Sequence, residues 1–229
     1  MKKQVTLALL ILGCSNHSFA TEPTTPPDAG HHKDGAFHHR FQNAEQWAKK
    51  FDEPARDEWQ KPEQVLAAMK LSQTMTVADI GAGTGYFSTR LAKIVTKGKV
   101  YAADIEPDMV KYLGERAKKE NLANIIPVQT SANSASLPEA VDKILLVDTY
   151  HHIGNRETYF KTLANSLKDD GQLIIVDFKM DDSITDAPPK THRISLEKLK
   201  QELTAAGYQF LESQDLPRQY IAVFNKTSN

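Results

Sequence analysis

Residues 77–87 read VADIGAGTGYF: Asp79 near the end of an apolar run, then glycines at 81, 83 and 85 around Ala82. Glycines so spaced let a backbone turn sharply after a strand and approach a ligand where a side chain would collide. A helix starting at Tyr86 would add unpaired N–H groups and the positive end of its dipole. Asp104 closes a second apolar run, KVYAAD, at a spacing from the loop that lets a carboxylate accept the hydroxyl protons of a ribose. Asp148 closes a third, KILLVD, and His151 and His152 follow almost at once. Imidazole titrates near neutral pH, so a histidine there could take a proton from a substrate.

Such residues meet only if their strands lie side by side, and the rest of the sequence supplies that frame. TVADI, GKVYAADI, NIIPVQ, VDKILLVDTY and GQLIIVDF read as strands, most separated by helical stretches. The helix from about Pro107 carries Met109, Leu113 and Ala117 on one face, and Pro127 marks NIIPVQ as an edge strand. A helix capped by Asn155 would place Phe160, Leu163 and Leu167 at helical spacing, and another runs from Ser195 to Gly207. YQFLESQ and QYIAVFNK end the chain as a hairpin. The predicted fold is α/β: a doubly wound, mostly parallel seven-stranded sheet with helices on both faces. Ligands of such sheets bind beyond the carboxyl ends of the strands, at the switch point.

Composition bounds the remainder. The 229 residues are 40% hydrophobic and 25% charged, with a formal charge of −1, which suits a globular chain and offers no basic stripe for nucleic acid. MKKQVTLALLILGCSNHSFA has a basic start, an apolar centre and small residues at 18 and 20, as a signal peptide cut before Thr21 would. Ile11-Leu12-Gly13-Cys14 offers a second reading, a lipoprotein anchored at Cys14. Removal of residues 1–20 would leave a charge of −3 (26 basic against 29 acidic residues). Residues 21–42 read as a Pro- and His-rich linker; His31, His32, His38 and His39 could hold a metal or simply face water. Residues 43–70 read as a helical cap with Asn43 as an N-cap, Trp47 and Phe51 on one face and Pro62 opening a helix. Trp47 and Trp59 are expected to pack in the core or a lid rather than form a cation site. Residues 71–229 form the main domain.

The variant DIGAGTG, with Tyr86 where a dinucleotide fingerprint has its third glycine, resembles motif I of the class I S-adenosylmethionine-dependent methyltransferases. With VADIGAGTGYFSTRLA, GKVYAADIEPDMV, ILLVDTYHHI and LKDDGQLIIVDF the resemblance spans roughly residues 60–225. It looks closest to bacterial small-molecule enzymes similar to the quinone-methylating group. The resemblance implies S-adenosyl-L-methionine as cofactor, with Asp79, Gly81, Ala82, Gly83 and Gly85 around its methionine end. Asp104 would hold the ribose, Ile105 pack on the adenine, and Asp148 face the cofactor or the methyl acceptor. Thr130-Ser131-Ala132 stands where family members place a polar contact to the adenine amino group, without the usual acid. His151 or His152 would be the base, and the long segment KMDDSITDAPPKTHRI, which contains His192, could cover the substrate. Two other classes stay open: a nicotinamide-dependent oxidoreductase, and an exported binding protein that keeps the fold without catalysis. Neither the acceptor nor the oligomeric state is legible.

The leader makes its own prediction. The mature protein is expected to be periplasmic and to begin at Thr21, or at a lipidated Cys14 that partitions into detergent. Cell fractionation with N-terminal mass spectrometry checks this; an intact Met1 on cytoplasmic protein would remove the export reading.

Overall fold

The computed structural model describes residues 41, 43–185 and 187–227. The leader, Cys14 and the four linker histidines lie outside the described residues. Three short helices come first: α1 (Ala44–Phe51), α2 (Arg56–Gln60) and α3 (Pro62–Ala68). Asn43 caps α1 from a left-handed conformation, its side chain accepting the Gln46 N–H, and Pro62 opens α3. Trp47 and Phe51 stack one turn apart, with ring centroids 5.2 Å apart.

The main unit follows as β1 (Thr76–Ile80), α4 (Tyr86–Ile94), β2 (Lys99–Asp104), α5 (Pro107–Lys119), β3 (Ile125–Gln129) and β4 (Val141–Val147), then α6 (Arg156–Leu163), β5 (Leu167–Phe178), α7 (Leu196–Ala205), β6 (Tyr208–Asp215) and β7 (Gln219–Lys226). The seven strands lie in the order β3-β2-β1-β4-β5-β7-β6. The first five pair in parallel and the β6–β7 hairpin joins antiparallel through β7. Pro127 sits on edge strand β3, where the missing N–H costs no ladder bond on the open side.

Alternation along the strands builds two cores. Val77, Val100, Leu145, Ile174 and Ile221 point to one face, against Leu66 and Met69 near α3, Phe87 and Leu91 of α4 and Leu113 of α5. Ala78, Tyr101, Ile144, Leu146 and Ile175 point to the other, against Phe160 and Leu163 of α6 and Leu199 and Leu203 of α7. Central strands buried on both faces read as nearly continuous apolar runs, which makes them visible in sequence.

One local expectation is corrected, and a second holds by a different means. Leu167, placed by periodicity on α6, opens β5 and pairs with Val141. Asn155 stands at the start of α6, but its backbone is left-handed (φ 44°) and its side chain makes no cap hydrogen bond.

The glycines give a paired prediction. A Cβ on Gly98 would lie 1.9 Å from the Met75 carbonyl oxygen, whereas one on Gly114, inside α5, would make ordinary contact with Pro127 at 3.7 Å. Gly114→Ala should stabilise the protein by about 0.5–1 kcal/mol, and Gly98→Ala should destabilise it by about 1–3 kcal/mol or more. Thermal or denaturant melts of the two variants check the opposite signs.

Candidate active site

The strand order reverses between β1 and β4, and the chain leaves both strands there in opposite directions. The two exits touch at Gly81. With φ at +74°, it lies so close to Thr149 that an added Cβ would be 2.3 Å from the Thr149 hydroxyl oxygen. Beyond this contact opens a cavity of about 610 Å³. Asp79, Gly81, Ala82, Gly83, Asp104, Ile105, Asp148, His151 and His152 all line it, as do Thr130, Ser131 and Ala132. Gly85 does not. It caps α4 behind the loop at φ +92°, with Leu113 filling the space of its missing side chain, so its glycine requirement is one of conformation and packing rather than ligand contact.

The loop differs from expectation in polarity. The N–H groups of Gly81 and Ala82 donate to the Ala103 carbonyl (2.8 and 3.0 Å), that of Gly83 to Asp104 Oδ2 (2.8 Å) and that of Gly85 to the Ala82 carbonyl (2.9 Å). The loop donors are thus used inside the protein. The N–H groups of the three glycines and Ala82 are therefore not free to hold an anion, and the carbonyl oxygens beside them suit an ammonium group better than a pyrophosphate. This weighs against the nicotinamide reading. The Asp104 carboxylate is equally engaged, its Oδ1 accepting the Glu106 N–H at 2.9 Å. Each oxygen keeps a second lone-pair direction for a further donor.

Carboxyl groups dominate the floor. Burial raises Asp79 to about 6, against the lowering effect of the Ser88 hydroxyl bonded at 2.6 Å, with the Asp104 charge adding to the rise. Burial raises Asp148 to about 7, against the attraction of Arg56, and burial also moves Asp104 upward despite its N–H bonds. Asp148 holds a left-handed backbone at φ 54°. Its Oδ1 accepts from Gln219, whose side-chain carbonyl oxygen accepts from Gln60. Gln60 in turn accepts from Arg56 at 3.0 and 3.2 Å, and Arg56 lies 3.9 Å from Asp148, closing a ring of four side chains of which the two glutamines are buried and Arg56 and Asp148 half-buried.

His151 is buried, with Nδ1 at 2.9 and 3.0 Å from the two Asp177 carboxylate oxygens. Burial alone would lower its pKa, but the Asp177 charge and hydrogen bond more than offset that and raise it. With Nδ1 bound to Asp177, Nε2 is the nitrogen left to the cavity. His152 is half-buried, its ring 4.2 Å from that of His151 and edge-on to Phe41 at 5.9 Å.

The cap completes the walls. Phe41, Lys50, Phe51, Glu53, Arg56 and Trp59 line the cavity from one side, and Thr185, Ala187 and Pro188 from another. The latter belong to the long segment after β5, which wraps around Arg193: its Nε donates to the Pro188 carbonyl at 2.6 Å and Nη1 to that of Asp181 at 3.1 Å. His192 sits in a single helical turn of that segment, outside the cavity lining. Trp59 departs from expectation by carrying cations: the Arg218 guanidinium lies 4.9 Å from its ring centroid and that of Arg56 6.0 Å. Asp177, Arg56, Gln60 and Gln219 were not found from sequence, since each acts through a partner distant along the chain.

A sheet of this order with an acid-floored cavity at the switch point and an inward-facing glycine loop is the frame of a nucleoside-cofactor enzyme. A methyltransferase-domain family model matches residues 71–219. A crystal structure of a SAM-dependent methyltransferase from Aquifex aeolicus superposes with a TM-score of 0.74 at 30% identity, over 81% of this chain and 99% of that one. The chain belongs to the class I S-adenosylmethionine-dependent methyltransferases. It is 24% identical over 100 residues to (S)-coclaurine N-methyltransferase of Thalictrum flavum subsp. glaucum, covering 44% of this chain and 28% of the relative. It is 38% identical over 64 residues to the protein-L-isoaspartate O-methyltransferase of Aeropyrum pernix, covering 28% and 25%. The chain thus spans less than a third of the length of these curated relatives.

The residues present fit that cofactor. Carboxylates and acceptor oxygens would meet its cationic groups, and the hydroxyl of Thr84, within the loop, is buried with no partner among the described residues. A cation binds better to ionised carboxylates, so ligand binding should release protons. S-adenosylmethionine affinity is therefore expected to rise between about pH 5 and 8, as Asp79 (about 6) and Asp148 (about 7) ionise. For each carboxyl that must lose a proton, affinity should fall about tenfold with every full pH step below its pKa. Titration calorimetry across that range, with Asp148→Asn flattening the upper part, checks it; a flat profile would remove these carboxylates from cofactor binding.

Proposed function

We propose that this protein transfers a methyl group from S-adenosylmethionine to a small-molecule acceptor, and that His151, oriented by Asp177, takes a proton from that acceptor. The observation that carries the reading is the buried His151–Asp177 pair opening onto the same cavity as the glycine loop and the three strand-end aspartates. When bound, the cofactor supplies a methyl group made electrophilic by the sulfonium. Asp104 would hold the ribose hydroxyls, Ile105, 45% exposed beside it, the adenine face, and Asp79 with the carbonyl oxygens of Gly81, Ala82 and Gly83 the amino end. Asp148 would stand between cofactor and acceptor.

Two features favour a small acceptor. The cavity is walled by the cap on one side and by Thr185, Ala187 and Pro188 on another, which leaves little room for a macromolecular surface. Trp59, Phe178, Tyr159 and Ile153 give the acceptor side an apolar, largely aromatic lining, as expected for a site that shields a small molecule from water. The N-methyltransferase relative named for coclaurine agrees with this, while the isoaspartate relative represents the competing, protein-acceptor class. The export signal read in residues 1–20 would place the activity outside the cytoplasm.

The protein's own contribution is positioning and one proton transfer. With Nδ1–H donated to Asp177, the neutral ring presents Nε2 as a lone pair to the acceptor. A base must be neutral to act, so turnover should fall as pH drops through the His151 pKa, which lies above the ordinary imidazole value. Asp177→Asn should move that acid limb downward.

Screening a metabolite extract with purified protein and S-adenosylmethionine, for products heavier by one methylene, would identify the acceptor. His151→Asn should then cut turnover by about 10²–10⁴ while S-adenosylhomocysteine affinity stays within about twofold. His152→Asn separates the two histidines, and full activity in His151→Asn would return that residue to a packing role. Asp104→Ala should weaken S-adenosylhomocysteine by about 1.5–3 kcal/mol; unchanged affinity in a folded variant would reject the ribose assignment.

A further inference from the structure

We propose that Arg116 is a positioning residue that couples the N-terminal cap to the glycine loop, so that the loop keeps its shape only while the cap is seated. The proposal rests on the reading of this cavity as the cofactor site and adds a control built into it. Arg116 projects from α5, and its Nη1 donates to the Thr84 carbonyl at 2.8 Å and to both Asp52 carboxylate oxygens at 2.9 Å. Its Nε donates to Glu120 at 2.7 Å, which fixes the plane of the guanidinium. The Arg116 side chain is 19% exposed and that of Asp52 22%, so solvent screens the pair only partly.

The two acceptors belong to the two parts that must agree. Thr84 stands between Gly83 and Gly85 at the crown of the loop, and Asp52 is the C-cap of α1. The preceding residue, Phe51, touches the loop directly, its ring 3.5 Å from where a Gly83 Cβ would lie. A second tie, the Asn43 N–H to Asp108 at 3.0 Å, seats the start of α1 at the start of α5. The Nη1 group has two hydrogens for three acceptor oxygens, so the bonds are shared and each depends on where the others hold the group. If Asp52 leaves, Nη1 loses two of its three acceptors, and the Thr84 carbonyl is no longer tied through Arg116 to the end of α1. The cap then controls the loop from behind as well as covering the cavity from above.

Hydrogen exchange on the ligand-free protein tests this without any catalysis. Asp52→Asn should raise exchange several-fold not only in α1 but at residues 81–85, which Asp52 does not touch. It should also weaken S-adenosylhomocysteine by about three- to tenfold. Arg116→Gln should do the same, with the double variant no worse than Arg116→Gln alone, since removing both ends of one linkage is non-additive. Arg116→Lys should recover only part, because one ammonium cannot reproduce the planar fork. Glu45→Gln, an exposed change on α1, is the control. Looser exchange confined to α1 with affinity retained, or additive losses in the double variant, would overturn the proposal. Should Arg116→Gln fail to fold, Asp52→Asn alone decides. A wild-type protein that does not bind S-adenosylhomocysteine would reject the cofactor reading, while the exchange data would still decide the coupling.

Discussion

Strands β2, β1 and β4 run side by side, and each delivers an aspartate to the same cavity: Asp104, Asp79 and Asp148. Three carboxyl groups around one small space is the constraint to which the surrounding structure responds. Removing ionised carboxylates from water is costly unless hydrogen bonds or opposite charges replace the hydration. Each aspartate is met differently. Asp104 takes two backbone N–H groups, Asp79 the Ser88 hydroxyl, and Asp148 the Gln219 amide with Arg56 nearby. These partners do not fully offset burial, and all three pKa values stay raised. Part of the floor therefore stays protonated near neutral pH until a cation arrives. A site incompletely balanced in this way favours positive ligands because a cation supplies the charge its carboxylates lack, while ionising the acids is a cost that lowers apparent affinity at acid pH.

The same constraint explains why the cap belongs to the site. Arg56 brings a half-buried cation to the floor, and it comes from α2 rather than from the sheet. It is held by Gln60 and by the Phe51 carbonyl, and its guanidinium lies 4.0 Å from the Tyr86 ring centroid. Arg90 lies 3.9 Å from the same centroid and pairs with Asp57 of the cap. Tyr86, the first residue of α4, is thus gripped by one guanidinium from the cap and one from its own helix. Displacing the cap would withdraw the balancing charge and this clamp together.

Much of the fold was legible because its signals are local. Apolar runs ending in aspartate mark buried parallel strands, and Pro62, Asn43, Ser195 and Gly207 mark helix ends through their own backbone chemistry. The misreadings arose where a local pattern had two outcomes. Leu167 continues the α6 periodicity but is needed to open β5, and Asn155 favours a cap position yet reaches it by left-handed backbone rather than by its side chain. Gly85 fits the loop spacing but serves the packing of Leu113. In the site, residue types at strand ends could be read, but their pairing could not. Asp177 meets His151 only because β5 lies beside β4, and Gln60 meets Gln219 only because the cap folds back on the hairpin. The loop N–H groups looked free in sequence because their acceptors, Ala103 and Asp104, lie on another strand.

The placement of Asp148 near the histidine pair links the floor to His151, the proposed base. Asp148 and Asp177 repel one another, and both attract the His151 imidazolium. A cation bound beside Asp148 would lower the basicity of His151 by direct repulsion. The same cation favours the ionised form of Asp148, whose new charge acts on His151 in the opposite sense. The two effects oppose one another, so the basicity of His151, the base proposed above, would depend less on the charge of a bound ligand than it would without Asp148. Without Asp148, the basicity of His151 would follow ligand charge directly. Asp148 is held at that point in a left-handed conformation uncommon for residues other than glycine, between the glycine loop and His151.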